Sequence, residues 1–211
     1  MISQYEVVKM TIRYPNGKKY VPVQTQERQR MNNHSYSNRG KTLEDELSES
    51  NEYYLSRNIA VIHKKPVPIQ VVKVNYPSRS AAVITEAYFR TPSTTDFNGV
   101  WQSKYIDFEA KETKSKTSFP LQNIHEHQIE HMKLVNEQDG IAFLIVRFST
   151  LDQYFIVPYD IIQNKWDRMK AGGRKSMAYA EFEKEAIKIE PGFMPRLDYL
   201  KSIAGLIESN E

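Results

Sequence analysis

In the segment YIDFEAKET, residues 105–113, polar side chains occupy every second position and apolar side chains lie between them. Strict alternation of this kind predicts a β-strand with two chemically different faces. The apolar face consists of Ile106, Phe108 and Ala110. The opposite face carries two carboxylates and a lysine, at Asp107, Glu109 and Lys111. A solvated outer face of an edge strand is one interpretation; a binding site is the other, and the choice depends on the neighbouring strand.

That neighbour is predicted to be TTDFNGVW, residues 94–101, paired with KYIDFEAKET as a hairpin. If Gln102 and Ser103 form a two-residue loop, Asp96 lies directly opposite Glu109. Directly opposed Cβ atoms are about 4.5–5.5 Å apart, so the two carboxylates would repel each other unless a cation lay between them. Asn98-Gly99 is itself a favourable type I′ turn sequence, and it leaves a shifted register open.

The cation that best suits two neighbouring carboxylates is Mg²⁺, which binds one or two acidic side chains, waters and phosphate. Mn²⁺ is expected to substitute for it. Lys111 lies two residues beyond Glu109 on the same strand face, where an ammonium group can orient a nucleophilic water or stabilise charge on a phosphate. The pattern therefore predicts a site for phosphodiester hydrolysis, although so short a motif also occurs by chance.

A helix is predicted within NIHEHQIEHMKLVNEQDG, residues 123–140, with Asn123 as N-cap and Gly140 beyond its end. Gln128 shares a helical stripe with the apolar Ile124 and Val135, so its amide is expected to point inward. Such a glutamine is either hydrogen-bonded to backbone or directs its carbonyl oxygen to the metal or its water.

The order of elements along the chain predicts an α/β fold with a mixed central β-sheet and helices on its faces. The first helix, within residues 38–58, begins with Thr42 and Asp45 as a candidate capping box. Residues 1–37 are polar and basic and are interpreted as a flexible arm, followed by a nuclease domain at 38–211. The proline-punctuated segment 63–93 is interpreted as a projecting insertion within that domain.

Composition narrows the class of protein. The absence of cysteine excludes disulfides and thiolate chemistry, and neither a secretory signal nor a long apolar run is evident, so a cytoplasmic protein with no membrane association is expected. The net charge of +3 is modest, but cations cluster at 64–79 and 165–175. Such clusters are often only solvated surface; here they favour contact with the phosphates of a nucleic acid.

The spacing D96-x₁₂-E109-A-K111 is similar to the core of PD-(D/E)xK nucleases. Longer blocks resemble the RecU family of Holliday junction resolvases from low-GC Gram-positive bacteria, across roughly residues 36–203. These blocks are SNRGKTLEDEL, IAVIHKKPVPIQ, RSAAVITEAYFR, STTDFNGV, YIDFEAKETKSKTSFPLQN and HEHQIEHM.

The resemblance implies a restriction-endonuclease-like core and a homodimeric, Mg²⁺-dependent endonuclease that nicks four-way branched DNA symmetrically. It implies a metal site formed by Thr94, Asp96, Glu109 and Gln128, with Lys111 as the catalytic lysine and Glu44 nearby. Residues 63–93 resemble the RecU stalk. With the basic clusters, this gives the expected DNA-contacting residues Lys64, Lys65, Lys73, Arg79, Phe89 and Arg90. The family is also associated with the RecA recombinase and the RuvAB branch-migration complex, which implies a nucleoid-associated protein.

Three alternatives remain open at this point. His127 and His131 are spaced i, i+4, as in some zinc sites, but the segment lacks the HExxH pattern. A PD-(D/E)xK nuclease acting on another DNA substrate would carry the same core. A catalytically inactive scaffold that binds junctions is the third, and the presence of Asp96, Glu109 and Lys111 argues against it.

Overall fold

The computed structural model describes residues 41–78, 81–90 and 94–208; the predicted arm at 1–37 lies outside them. The helices are Leu43–Ser56 (α1), Glu126–Asn136 (α2), Tyr159–Lys170 (α3), Tyr179–Glu185 (α4) and Tyr199–Glu208 (α5). The strands are Val61–Lys64 (β1), Ile69–Asn75 (β2), Val83–Phe89 (β3), Phe97–Trp101 (β4), Lys104–Thr113 (β5), Ser118–Pro120 (β6), Ile141–Phe148 (β7), Gln153–Pro158 (β8), Ser176–Ala178 (β9) and Ile187–Ile189 (β10). Of the helices in the described part of the chain, none has the length and apolarity needed to cross a membrane.

Six strands form the central sheet, in the order β1-β4-β5-β7-β8-β10. The β5–β7 pair is parallel, and the other neighbouring pairs are antiparallel. The chain crosses from β5 to β7 through α2, as a parallel connection requires. The prediction of a mixed sheet flanked by helices is confirmed.

Both faces of this sheet are covered. One core lies under α1 and α5 and includes the alternate β5 residues Ile106, Phe108 and Ala110. A second core lies under α2, α3 and α4 on the other face. The polar face of β5 belongs to this second side, where Asp107 is 0% and Glu109 1% exposed. The interpretation of a solvated edge strand is therefore wrong, because β5 is a central strand whose charged side chains are buried.

The β4–β5 hairpin has the register predicted from a two-residue loop. Phe97 pairs with Phe108 and Trp101 with Lys104, and both loop residues adopt positive φ, as a type I′ turn requires. Asn98 and Gly99 lie within β4 instead of forming a turn. Gly99 is needed there because a Cβ atom would lie 2.0 Å from the carbonyl oxygen of Val61 in the adjacent strand β1.

A stack of three aromatic rings fixes β4, β5 and β7 next to one another. Phe108 is stacked between Phe97 and Phe143, with centroid distances of 4.9 Å on both sides and interplanar angles of 8° and 7°. All three side chains are fully buried. Because offset stacking adds to the energy of burial, this stack rigidly supports the strand ends that carry the acidic residues.

The segment predicted as an insertion contains a separate two-stranded antiparallel sheet, formed by β2 and β3. It lies between β1 and β4 in the chain and does not join the central sheet. Side chains of both strands are exposed along almost their whole length. Several of them are apolar, so this hairpin exposes residue types that a folded chain normally buries.

The helix starts were predicted with mixed success. The Thr42–Asp45 capping box at α1 is confirmed. Asn123 is not the N-cap of α2, because it closes a 3₁₀ turn, Leu121–Asn123, and α2 starts after His125. There the Gln128 side chain accepts a hydrogen bond from the His125 backbone N–H at 3.0 Å.

Candidate active site

Glu109 is the centre of the polar face of β5. Its Oε1 atom accepts hydrogen bonds from Lys111 Nζ and Gln128 Nε2, each at 2.6 Å. Its Oε2 atom is buried and, among the described residues, has no hydrogen-bond partner. A buried carboxylate oxygen without a partner costs free energy, so this oxygen is available to a ligand that is absent from the isolated chain.

Asp96 lies just before β4 and is held beside Glu109. Asp96 Oδ2 accepts a hydrogen bond from the backbone N–H of Ala110 at 3.0 Å. Burial and, to a smaller extent, the negative charge of Asp96 raise the pKa of Glu109 to about 7, against the opposing effects of Lys111 and Gln128. The predicted juxtaposition of Asp96 and Glu109 is thus present, and the two carboxylates repel each other.

These residues fit a hard divalent cation. Within the described ranges, no cluster of three or more His, Cys, Asp or Glu side chains is arranged to hold a metal by itself. Two neighbouring carboxylates suit Mg²⁺, which keeps waters and takes phosphate oxygens as further ligands. The unpartnered Oε2 atom of Glu109 is where such an ion would relieve the repulsion. Thr94 precedes Asp96 by two residues and is half-buried.

Of the three predicted catalytic residues, Asp96, Glu109 and Lys111, only Lys111 carries positive charge. Its ammonium contacts Glu109, and its side chain is largely buried. Held on a central strand, this charge lies beside the carboxylate of Glu109. It can donate a hydrogen bond to a water or to a phosphate oxygen that enters the site.

Gln128 is brought to the site by α2, and of its two predicted roles the structure shows the hydrogen bond to backbone and not a carbonyl oxygen directed to the metal. Its carbonyl oxygen accepts from the His125 backbone, and its amide nitrogen donates to Glu109. The two hydrogen bonds together determine which end of the amide faces the carboxylate. Gln128 therefore orients Glu109 here, and its carbonyl oxygen is engaged in capping the helix.

Glu44 and Lys64 form an ion pair at the border of the site. Lys64 Nζ lies 2.5 Å from Glu44 Oε2, and both side chains are exposed to a large extent. The hydrogen bond to Glu44 raises the pKa of Lys64, and the charge of Asp96 acts in the same direction. The two sequence-predicted residues therefore lie together, within electrostatic range of Asp96.

The other residues expected to contact DNA are distributed differently. Lys73, Phe89 and Arg90 are exposed on or next to the β2–β3 hairpin, and Arg90 donates to Gln70. Arg79 lies outside the described residues. Lys65, in contrast, is only 17% exposed in its side chain and is paired with Asp107, so its ammonium faces the protein interior.

The basic cluster at 165–175 is largely neutralised within the fold. Lys165 lies 3.0 Å from Glu181 and 2.8 Å from Glu185, and Arg168 lies 2.8 Å from Glu181. Lys170 is paired with an acidic residue of α2. The expectation of a phosphate-binding surface is therefore weakened here, because acidic residues distant in sequence are adjacent in space.

The histidines of α2 have separate environments. His131 Nε2 lies 3.2 Å from Asp107 Oδ2. The His127 ring stacks on His125, with centroids 5.4 Å apart, and burial lowers the pKa of His127. The i, i+4 spacing therefore does not direct both rings to one point, and the zinc alternative has no support in this geometry.

Sequence reasoning missed a second buried carboxylate, Asp107, and its partners Lys65, Thr95, Tyr105 and His131. The strand pattern places Asp107 on the same face as Glu109, and that was the available signal. Once β5 is known to be central, a charge on that face must be paired. Apart from Tyr105, the pairing residues lie 12 to 42 positions away in sequence and have no periodic pattern.

The family model and the sequence relatives agree on a single family. The family model described as "RecU: Recombination protein U" matches residues 38–205. Proteins named Holliday junction resolvase RecU from Bacillus cereus (strain B4264) and Bacillus cytotoxicus are each 55% identical to this chain, covering 91% and 90% of it and 96% of each relative. A solved structure of Archaeoglobus fulgidus Hjc, titled a Holliday junction resolvase, is 8% identical with a TM-score of 0.37, over 64% of this chain and 86% of that one; so slight a likeness carries no argument. By the family model and the sequence relatives, the chain belongs to the RecU family.

Proposed function

We propose that this protein is a Holliday junction resolvase, an endonuclease that cuts four-way DNA junctions by hydrolysing phosphodiester bonds. The observation that carries the proposal is the buried Glu109, paired with Lys111 and close to Asp96, with one carboxylate oxygen left without a partner. The relatives named as resolvases at 55% identity support the same activity.

Mg²⁺, or Mn²⁺ in its place, would supply positive charge that stabilises the negative charge developing on the scissile phosphate. Asp96 and Glu109 would hold that ion, with Thr94 beside them on the segment leading into β4. Gln128 keeps Glu109 in position through its amide. Lys111 orients the attacking water and donates a hydrogen bond to a phosphate oxygen. The water oxygen bonds to phosphorus and its proton passes to solvent. The bond from phosphorus to the leaving O3′ breaks, O3′ takes up a proton from solvent, and the resulting 5′-phosphate and 3′-hydroxyl ends can be ligated.

Paired nicking of a junction requires two sites. A four-way junction has approximate two-fold symmetry, and a homodimer with C₂ symmetry presents two identical sites related by the same operation. We therefore propose a homodimer, with the β2–β3 insertion directed into the branch point. Lys64, Lys73, Arg79, Phe89 and Arg90 would contact DNA, and partners of the RecA and RuvAB type would be met at the nucleoid in the cytoplasm.

A synthetic four-way junction and a linear duplex with the same arm sequences provide the test. Both are incubated with the wild type and with Asp96→Ala, in Mg²⁺ and in EDTA. We expect symmetric nicks in the junction only, which are lost in EDTA and in Asp96→Ala, while Asp96→Ala still retards the junction in a gel.

The same experiment separates the proposal from its two alternatives. Nicks in the duplex at an equal rate would indicate a nuclease for another DNA substrate. Junction binding without nicks under every condition would indicate a scaffold. In either case the resolvase proposal is wrong.

A further inference from the structure

Asp107 is a fully buried carboxylate that is hydrogen-bonded by residues from four parts of the fold. Its Oδ2 atom lies 2.7 Å from Lys65 Nζ, 3.0 Å from the Tyr105 hydroxyl and 3.2 Å from His131 Nε2. Its Oδ1 atom accepts a hydrogen bond from the Thr95 hydroxyl. Burying an ion pair is often no more stabilising than an apolar side chain of similar size, so stability alone does not account for this arrangement.

Two of these donors mark the ends of the β2–β3 insertion. Lys65 directly follows β1, where the chain leaves the central sheet, and Thr95 lies just before β4, where it returns. Lys65 Nζ also donates to the Thr95 hydroxyl at 2.8 Å. The Lys65 backbone N–H donates to the carbonyl oxygen of Asp96 at 2.7 Å. Both ends of the insertion are therefore joined to each other and to Asp107.

Two of the residues bonded to Asp107, and Asp107 itself, lie close in the chain to residues of the candidate active site. Thr95 is the neighbour of Asp96, and Asp107 precedes Glu109 by two residues on the same face of β5. His131 lies one helical turn after Gln128 on α2. Displacing any of these donors would therefore shift Asp96 or Glu109, and metal sites are sensitive to small displacements of their ligands.

We propose that Asp107, with Lys65 and Thr95, is a positioning cluster: it joins the base of the β2–β3 insertion to the metal site and fixes the spacing of Asp96 and Glu109. The proposal rests on the proposed function, because it concerns the same metal site. It assigns Lys65 to positioning and not to phosphate contact.

The sharpest test changes the Thr95 hydroxyl alone. Thr95→Val has nearly the same shape but cannot donate to Asp107, whereas Thr95→Ser retains the hydroxyl. For the full chain, Mn²⁺ affinity without DNA is measured by calorimetry, junction affinity in EDTA by gel retardation, and nicking by single-turnover kinetics in Mg²⁺. We expect Thr95→Val to weaken Mn²⁺ binding and slow nicking by about 10-fold or more, with junction affinity within about twofold. Thr95→Ser should behave as the wild type.

A matched control separates positioning from a general loss of stability. Tyr54 also has a buried hydroxyl, which donates to Asp198 at 2.9 Å, but it belongs to the core under α1 and α5. Tyr54→Phe should lower Tm and leave Mn²⁺ affinity unchanged. If Thr95→Val lowers Tm but binds Mn²⁺ as tightly as the wild type, the cluster is only structural and the proposal is overturned.

Two further outcomes remain decisive. If Thr95→Val does not fold, Tyr105→Phe removes another hydrogen bond to Asp107 from a partly exposed ring, and about fivefold weaker Mn²⁺ binding is expected; unchanged binding would contradict the proposal. If the wild type binds no Mn²⁺ at all, the metal site of the proposed function is refuted. That result differs from equal Mn²⁺ affinities in wild type and variant, which refute the positioning role alone.

Discussion

The β4–β5 and β2–β3 hairpins, which adjoin the Lys65–Thr95 contact, both depart from the usual pattern of buried apolar and exposed charged side chains. They do so in opposite ways. The β4–β5 hairpin lies within the central sheet and buries charged side chains, Asp107 and Glu109. The β2–β3 hairpin lies outside that sheet and exposes apolar ones, including Val72, Tyr88 and Phe89. Buried charge and exposed apolar surface are both unfavourable for an isolated chain.

The difference shows what each hairpin requires from its surroundings. In β4–β5, the carboxylate of Asp107 has donors from four parts of the fold, whereas Glu109 retains an oxygen that no described residue donates to. An oxygen of this kind suits a small, positively charged ligand. In β2–β3, an extended apolar surface needs a large partner, and the aromatic rings suit the faces of DNA bases. We therefore expect substitutions in the β4–β5 hairpin to affect phosphodiester hydrolysis and substitutions in the β2–β3 hairpin to affect DNA binding.

The largest effect on nicking is expected for Lys111→Met. This substitution removes the positive charge of the polar face of β5 and keeps a side chain of similar length. Single-turnover nicking of a four-way junction should fall by about 10²–10³-fold, because the lost group stabilises developing charge. The variant should still retard the junction in a gel. Lys114→Met, which alters an exposed lysine just beyond the end of β5, is the matched control and should nick at the normal rate. Equal rates for the two variants would contradict a catalytic role for Lys111.

Much of this hairpin could be predicted from the sequence, because its determinants are local. The period of two in residues 105–113 gave the strand, and the two-residue loop gave the register that places Asp96 opposite Glu109. The burial of the polar face could not be predicted, since it depends on α2 packing across β5 and on β7 pairing beside it. The burial of Asp107 was missed for the same reason, as three of its partners come from the residue after β1, the segment before β4, and α2.

Short strands and helix ends were also predicted poorly from the sequence. β6, β9 and β10 have three residues each, too few to show a period, and they form only because distant segments pair with them. The start of α2 was misplaced because Asn123, a good capping residue by propensity, is used in a 3₁₀ turn. In the basic cluster at 165–175, the neutralising Glu181 and Glu185 lie on another helix, which charge counting along the chain does not reveal.

The second prediction concerns how Mn²⁺ binding at Glu109 in the β4–β5 hairpin depends on pH. The Glu109 carboxyl has its pKa raised to about 7 by burial and by Asp96, and a metal ion requires the ionised form. Protons therefore compete with Mn²⁺ below pH 7. The dissociation constant measured by calorimetry should rise about tenfold for each pH unit from 7 down to 5, and should be level above pH 8. Glu109→Gln should bind more weakly and show no such slope; an unchanged slope in that variant would assign the titration to another group.

In the exposed hairpin, Phe89→Ala should weaken junction binding by about tenfold, since base stacking on an aromatic ring contributes on the order of 1–3 kcal/mol. Phe89 is 83% exposed, so Tm should change by less than about 2 °C. Phe193→Ala alters a phenylalanine of equal exposure, 84%, outside the insertion, and junction affinity in gel retardation should be unchanged. If both variants lose affinity equally, the insertion has no special role in binding.

The smallest expected effect is on the pH dependence of Tm, and it distinguishes the β4–β5 hairpin from the β2–β3 hairpin most directly. Because the pKa of Glu109 is about 7 in the folded chain and the ordinary pKa of a glutamate is 4.5, the folded chain binds more protons than the unfolded chain between these pH values. The stability contributed by protonated Glu109 is therefore complete below pH 4.5 and is lost as the pH rises through 7. Glu109→Gln does not ionise, so in EDTA its Tm should exceed that of the wild type by about 5 °C at pH 8, and this excess should shrink towards pH 5. Phe89→Ala should show no pH-dependent difference, and a lower Tm for Glu109→Gln at pH 8 would mean that Lys111 and Gln128 fully stabilise the ionised carboxylate without a metal.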